Sequence, residues 1–163
     1  MRIMEQDKLS HLDKDGSANM VDISEKNITT RAAYASCVVF LSEKAYQLVK
    51  KNQIEKGNVL NIAKIAAISA SKKTHDLIPL CHQIPLSKVD VEFILNDEKN
   101  TIKIQSTALT DWKTGVEMEA LTAVSIASLT IYDMCKSVDK SIKITDIKLD
   151  KKTGGKSGPY IRE

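Results

Sequence analysis

The spacing of apolar residues changes along the chain, and each change marks an element. Over 31–41, RAAYASCVVFL, the residues Ala33, Ala35, Cys37, Val39 and Leu41 alternate with Tyr34, Ser36, Val38 and Phe40. That period, rich in β-branched side chains, predicts a strand with both faces covered. Ser42 then offers a helix cap before Glu43, and Ala45, Leu48 and Val49 follow at helical spacing to about Asn52. Lys56-Gly57-Asn58 punctuates the pattern. A second helix, with Val59, Ile62, Ala63, Ala66, Ser69 and Ala70 on one side, closes at Lys72-Lys73. In THDLIPLCHQIPL, Pro79 and Pro85 exclude a helix and a central strand. This apolar segment is predicted to be an ordered loop able to hold a site in place. Residues 88–95 and 101–108 alternate cleanly around NDEKN, a hairpin with a five-residue loop, and SIKITDIKL gives one more strand or a bent pair.

The longest pattern is KTGVEMEALTAVSIASLTIYDMCK, 113–136. It is apolar nearly all round and dense in Ala and Ser, which predicts a buried helix lying close against its neighbours. Glu117 and Glu119 stand at its start and Asp133 and Lys136 at its end, and the helix dipole favours carboxylates at the start and the late lysine at the other end. Asp133 and Lys136 share a face. Glu119 and Asp133 fall on about the same stripe, yet lie roughly 21 Å apart along the axis. If both ends serve one site, a second chain or a facing element must contribute to it. The order β, α, α, β, β, α, β is the βαββαβ ferredoxin-like pattern with one additional helix, so the expected class is α+β with an antiparallel sheet.

Composition adds limits. A chain of 163 residues suits one domain, 1–163, burying roughly 69% of its extended surface. Residues 1–19 read as a polar, flexible N-terminal arm without signal-peptide character, and 151–163 as a Gly/Lys-rich flexible tail. Three cysteines without CxxC spacing argue against a zinc ribbon or a disulfide framework and fit a reducing cytoplasm. No apolar run approaches membrane-spanning length. Net charge is +3, with scattered lysines, which is compatible with an anionic ligand; the 4% aromatic content counts against base-stacking nucleic-acid readers.

Several residue types could carry chemistry. Asp133 beside Lys136 can shuttle protons if their pKa values move toward neutral, against the commoner alternative of a solvated salt bridge. His82 and Cys81 lie in the two-proline loop, with no metal spacing around them; a lone His is usually structural, and Cys81 reads as a small buried hydrophobe. Glu119 can accept two hydrogen bonds from a guanine-type N–H edge, or can simply be a helix N-terminal acid. Gly154-Gly155-Lys156-Ser157-Gly158 is not a P-loop, because Asp150 stands where the first glycine belongs and no helix follows. Lys56, Lys72 and Lys113, each at a helix terminus or in a loop, could together neutralise a triphosphate, and a flexible segment carrying Lys152 and Lys156 could close over phosphates, against the plainer alternative of a disordered tail.

KTGVEMEALTAVSIASLTIYDMCK, with DLIPLCH before it, MVDIS near the start and TGGKSG near the end, resembles the cyclic pyranopterin monophosphate synthase family of molybdenum-cofactor biosynthesis. The likeness runs from about Leu9 to Gly158, with four motifs in the family's order. It implies a lyase that turns a 3′,8-cyclised dihydro-GTP into cyclic pyranopterin monophosphate and pyrophosphate. It further implies a ferredoxin-like fold and a homohexamer, a trimer of dimers, with active sites at the dimer interface. No cofactor is implied, although Mg²⁺ can accompany the triphosphate, and neither nucleic acid nor membrane is an expected partner. Asp133, Lys136, Lys56 and His82 match catalytic positions. Leu80, Cys81 and His82 match a substrate-binding tripeptide. Met118 and Glu119 match a substrate-binding pair, with Glu117 beside them. Lys72, Lys152 and Lys156 fall where family lysines approach the phosphates. The chain departs at Gln83, where Pro is usual after LCH, and at Pro159, where an acid is usual after TGGKSG. The competing expectations are a non-catalytic ferredoxin-like nucleotide- or RNA-binding module and a purely structural oligomer subunit.

Overall fold

The computed structural model describes residues 15–163; most of the expected N-terminal arm lies outside them. The elements run β1 (Thr29–Phe40), α1 (Glu43–Lys50), α2 (Val59–Ser71), α3 (Thr74–Leu77), β2 (Lys88–Asn96), β3 (Thr101–Trp112), α4 (Glu117–Cys135), β4 (Lys143–Thr153) and β5 (Tyr160–Ile161). The strands form one antiparallel sheet in the order β2-β3-β1-β4-β5. Without β5 this is the ferredoxin-like arrangement, with α1 and α2 together filling the first helical connection and α4 the second.

Alternation on β1 explains how the sheet meets its helices. Ala33, Ala35, Cys37 and Val39 are 0–1% exposed, while Tyr34, Val38 and Phe40 on the other face are half-buried or exposed. β1 pairs with β3 without interruption from Thr29↔Trp112 to Phe40↔Thr101. Its pairing with β4 slips twice, between Tyr34 and Ala35 and between Ser36 and Val38, and Asp146 in β4 takes a left-handed φ of 55°. β4 is thus the expected bent strand.

Small residues let α4 lie close to the sheet. Ala120, Ala123 and Ala127 are fully buried. The Cys37 thiol reaches Val124 O at 3.5 Å, and Ser106 Oγ donates to Ala120 O at 2.7 Å. On its other side α4 packs on α2, where Ser71 Oγ donates to Glu119 O at 3.0 Å.

Three local expectations need adjustment. Residues 74–77 of the proline loop form the short helix α3, ending before Pro79; a proline restricts the residue before it and those downstream, not a turn already closed. The β2–β3 hairpin has a four-residue loop, because Asn96 pairs with Thr101, and Asn100 supplies the left-handed residue at φ 50°. Residues 151–153 complete β4, and after a Gly-rich turn β5 pairs back with Lys151 and Lys152, so much of the expected tail belongs to the sheet. In that turn a Cβ on Gly154, at φ 86°, would collide with Thr30 O, so the close approach requires glycine.

Asp139, only 6% exposed, ties the end of α4 to the start of α1. Its carboxylate accepts from Ser141 Oγ (2.6 Å) and Ser141 N (2.8 Å), and from Ser42 N at 2.7 Å. The Ser141 hydroxyl first, then the Ser42 backbone, hold its pKa down at about 2. A depressed carboxylate stabilises the fold above its unfolded pKa, and the contribution is lost as pH falls through the folded value. Asp139→Asn should therefore cost about 2 kcal/mol near neutral pH. Urea unfolding at a series of pH values should show that loss shrinking between about pH 4 and pH 2.

Candidate active site

The polar groups gather at the two ends of α4. At its C-terminal end Asp133 and Lys136, three residues apart, form a 2.6 Å ion pair. Lys56 comes from the turn between α1 and α2, just before Gly57 at φ 103° and Asn58, whose side chain caps α2. Its Nζ donates to the Asp133 carbonyl at 3.0 Å and stands 3.7 Å from the Asp133 carboxylate. A cation is well placed there, where the last carbonyls of a helix lack intrahelical partners. All three side chains are about half exposed. The Lys136 hydrogen bond draws the Asp133 pKa below the ordinary carboxylate value, and Asp133 raises that of Lys136. Both groups are therefore charged near neutral pH, a state opposite to one poised for proton transfer.

At the other end a cleft of about 1020 Å³ opens beside the start of α4. Lys26, Arg31, Lys113, Lys152 and Lys156 line it, against the carboxylates of Glu25 and Glu117. Glu117 pairs with Lys152 at 3.0 Å, and a Cβ on Gly115 would collide with the Glu117 carboxylate. Arg31 is the organiser: Nε donates to Trp112 O at 2.9 Å and Nη2 to Lys113 O at 3.1 Å. A Cβ on Gly155 would collide with its guanidinium, so glycine lets the 154–158 turn close over Arg31. Lys113 donates to Ser24 O at 2.5 Å, drawing the MVDIS segment to the rim. Such a cleft suits a polyanion. Lys26 and Arg31 were not read from the sequence as site residues, because each is a single cation without a motif; the one available signal was an arginine heading an otherwise apolar strand.

In the first turn of α4 lies Glu119, 3% exposed, with an Oε2 that has no hydrogen-bond partner among the described residues. Burial pushes its pKa up to about 7; its own backbone N–H opposes the rise and Glu117 adds to it. Cys81 is near enough for the two to disfavour each other's charge, and its thiol pKa is raised mainly by burial. Leu80, Cys81 and His82 are half-buried in a loop anchored by Cys81 N to Ile78 O (3.0 Å), Ser87 N to Leu109 O (2.8 Å) and Thr110 Oγ1 to Pro85 O (2.6 Å). His82 and Lys113 both lie within electrostatic reach of Asp22. Met118 is half-buried, and Lys72 is exposed at the end of α2, next to Ser71.

The expected residues thus fall into two half-sites. Lys56, Asp133 and Lys136 form one; Glu117, Glu119, Lys152 and Lys156, with the 80–82 loop beside Glu119, form the other. Glu119 and Asp133, fourteen residues apart on one helix, are separated by roughly 21 Å, too far for one small ligand to touch both on the same chain.

The sequence profile of the MoaC family matches residues 20–155. The cyclic pyranopterin monophosphate synthase of Heliobacterium modesticaldum is 53% identical over 157 residues, covering 96% of this chain and 99% of that protein. The protein of that name from Campylobacter jejuni subsp. doylei is 50% identical over 155 residues, covering 95% and 99%. The mitochondrial one of Arabidopsis thaliana is 52% identical over 155 residues, and there the match spans 95% of this chain and 57% of the longer plant protein.

Glu119 has a measurable effect on stability. A carboxyl whose folded pKa is raised keeps its proton while the unfolded chain loses it, so stability falls as pH climbs from the ordinary glutamate value through about 7. The full effect is up to about 3 kcal/mol. Glu119→Gln removes it. The variant should melt several degrees above the parent at pH 8, and the gap should close toward pH 4.5. A constant gap across that range would contradict the buried, uncompensated acid.

Proposed function

The chain belongs to the MoaC family, and on that premise we propose that it is a cyclic pyranopterin monophosphate synthase. This lyase converts (8S)-3′,8-cyclo-7,8-dihydroguanosine 5′-triphosphate into cyclic pyranopterin monophosphate and releases pyrophosphate. The single structural observation that supports the reading is the pair of complementary half-sites: a cation-lined cleft at one end of α4 and a lysine–aspartate–lysine cluster at the other.

The two steps of the reaction need these two kinds of group. Opening the purine ring and closing it as a pterin requires protons to move to and from ring nitrogens. Lys136 and Lys56 serve as acids, and Asp133 as base or as the group that tunes Lys136. For this their charges must shift, which burial beneath a second chain would accomplish by desolvation. Formation of the cyclic phosphate sets a ribose-derived hydroxyl on the α-phosphate and expels pyrophosphate. Lys113, Lys152, Lys156 and Arg31 neutralise the charge that develops on the leaving group. Met118, Glu119 and the 80–82 loop hold the base, with His82 turned to proton transfer. A divalent ion, where one takes part, arrives with the triphosphate.

Assembly follows from the separation of the half-sites. In our reading the protein is a homohexamer, a trimer of dimers, and each active site joins the Asp133 end of one chain to the Glu119 end of its neighbour. Cytoplasmic residence is in keeping with three unpaired cysteines and with the absence, among the described residues, of a helix long and apolar enough to cross a membrane. A nucleotide- or RNA-binding module would leave the Lys56–Asp133–Lys136 cluster without a task.

Asp133→Asn and Lys136→Ala should each bind the cyclised dihydro-GTP and lose roughly 10²-fold or more in turnover. Calorimetric titration, read beside pyrophosphate release and fluorescence of the oxidised pterin, checks this; full turnover in either variant sinks the assignment. Mixing inactive Asp133→Asn with inactive Lys152→Ala, after dissociation and reassembly, should restore part of the activity, because a mixed dimer contains one site with both halves intact. No recovery would place the whole site within one chain.

A further inference from the structure

Glu119 carries an inference that rests on the reading above and deepens it. A buried carboxylate normally has a cation or several donors around it. Among the described residues of its own chain Glu119 has neither. It is 3% exposed, its Oε2 has no partner there, and no ion pair includes it. The groups that bear on it come from three elements. Glu117, on the same helix, repels its negative charge. Cys81, from the 78–87 loop, is a thiol whose ionised form would do the same. From α2, Ser71 directs its hydroxyl to the backbone carbonyls of Ala67 and Glu119 and leaves the carboxyl unaided. The residue's own N–H favours an anion here, as does the dipole at the start of α4, and burial outweighs the N–H.

We propose that Glu119 stands in the free protein as a neutral carboxylic acid, and that it releases its proton to solvent when a guanine-type base edge enters. Substrate capture is then coupled to proton release. The donor count dictates the coupling. A guanine-type edge presents two adjacent N–H donors. A carboxylate offers two acceptor oxygens at matching spacing, whereas a neutral acid must set its own O–H against one of those donors. The bound state therefore favours the ionised form through two charge-assisted hydrogen bonds. No bond to carbon changes: the Glu119 proton passes to water or buffer, and two N–H···O contacts replace it. The coupling also discriminates between ligands. A base without the amino group, such as hypoxanthine, supplies one donor in place of two and is less able to drive the proton out.

The test uses the assembled full chain with GTP as probe. Calorimetry at pH 6.5, in two buffers of different ionisation enthalpy, gives the protons exchanged on binding for the parent and for Glu119→Gln; any contribution from the nucleotide's own phosphates cancels between them. The parent should release most of one proton more than the variant. Its affinity should strengthen about fivefold from pH 6 to pH 7 relative to Glu119→Gln, gain roughly twofold more by pH 8 and then level off. Infrared spectra of the free parent at pH 6 should contain a protonated-carboxyl band that the variant lacks and that GTP removes. Equal proton exchange, failure of the parent to bind GTP, or absence of the band would overturn the proposal. Turnover of the cyclised substrate without the differential release would defeat this inference and leave the synthase reading intact. Differential release without turnover would defeat the synthase reading alone.

Discussion

The close seating of α4 on β1 and β3 is the contact on which the remaining architecture depends. It is possible because the buried face of the helix is alanine where larger residues would hold it away. At that distance Ser106 and Cys37, side chains on the sheet, reach the carbonyls of Ala120 and Val124, and buried polar atoms are satisfied that would otherwise weaken the core. From the opposite side Ser71 fixes the helix to α2 at Glu119, the residue around which one half-site is built. A nineteen-residue helix held this way is a rigid spacer. It fixes the separation between the Glu119 and Asp133 ends at a length no single small ligand spans on one chain.

The two ends solve different electrostatic problems. At the Asp133 end the charges are exposed and already paired, so water and mutual attraction keep them ionised. Their reactivity must come from the removal of solvent. At the other end Glu119 itself is already out of solvent, and its Oε2 lacks a partner among the described residues. In the proposed coupling its charge comes from the ligand. Arg31 stands apart from either problem. By holding the Trp112 and Lys113 carbonyls and lying under the Gly154–Gly155 turn, it links β1, β3 and the segment after β4 into one wall of the cleft.

Local signals in the sequence carried most of the fold. The alternation of 31–41, the Ser42 cap, the two hairpin strands and the apolar stretch ending in IYDMCK each specify an element through its own period or cap, and the structure has them within a few residues. The short helix α3 was hidden because four residues ending just before Pro79 carry no helical period. β5 was hidden because two residues of strand have no period. The site was legible in part, through the resemblance and the polar ends of α4. What could not be read was pairing across distance: Lys56 with Asp133 is a contact over 77 residues, and Arg31 with Lys113 one over 82. A single lysine or arginine has no local pattern, so only the folded sheet reveals which cations converge.

The same reasoning explains why Glu119 was ambiguous as text. Next to Glu117 and Met118 at a helix start, an acid reads as a partner for the dipole, which is a surface role and favours the charged form. Burial inverts that meaning. Once the helix is pressed into the core, the two acids of the first turn part company: Glu117, half-buried, finds Lys152, while Glu119 faces inward and finds none. Two residues of one type, two positions apart, thus meet different surroundings because α4 is turned so that one faces the cleft and the other the core. That rotation is set by the alanines that seat the helix, Ala120, Ala123 and Ala127. The packing of an apolar face therefore decides which of the two acids is taken out of water and which keeps a cation.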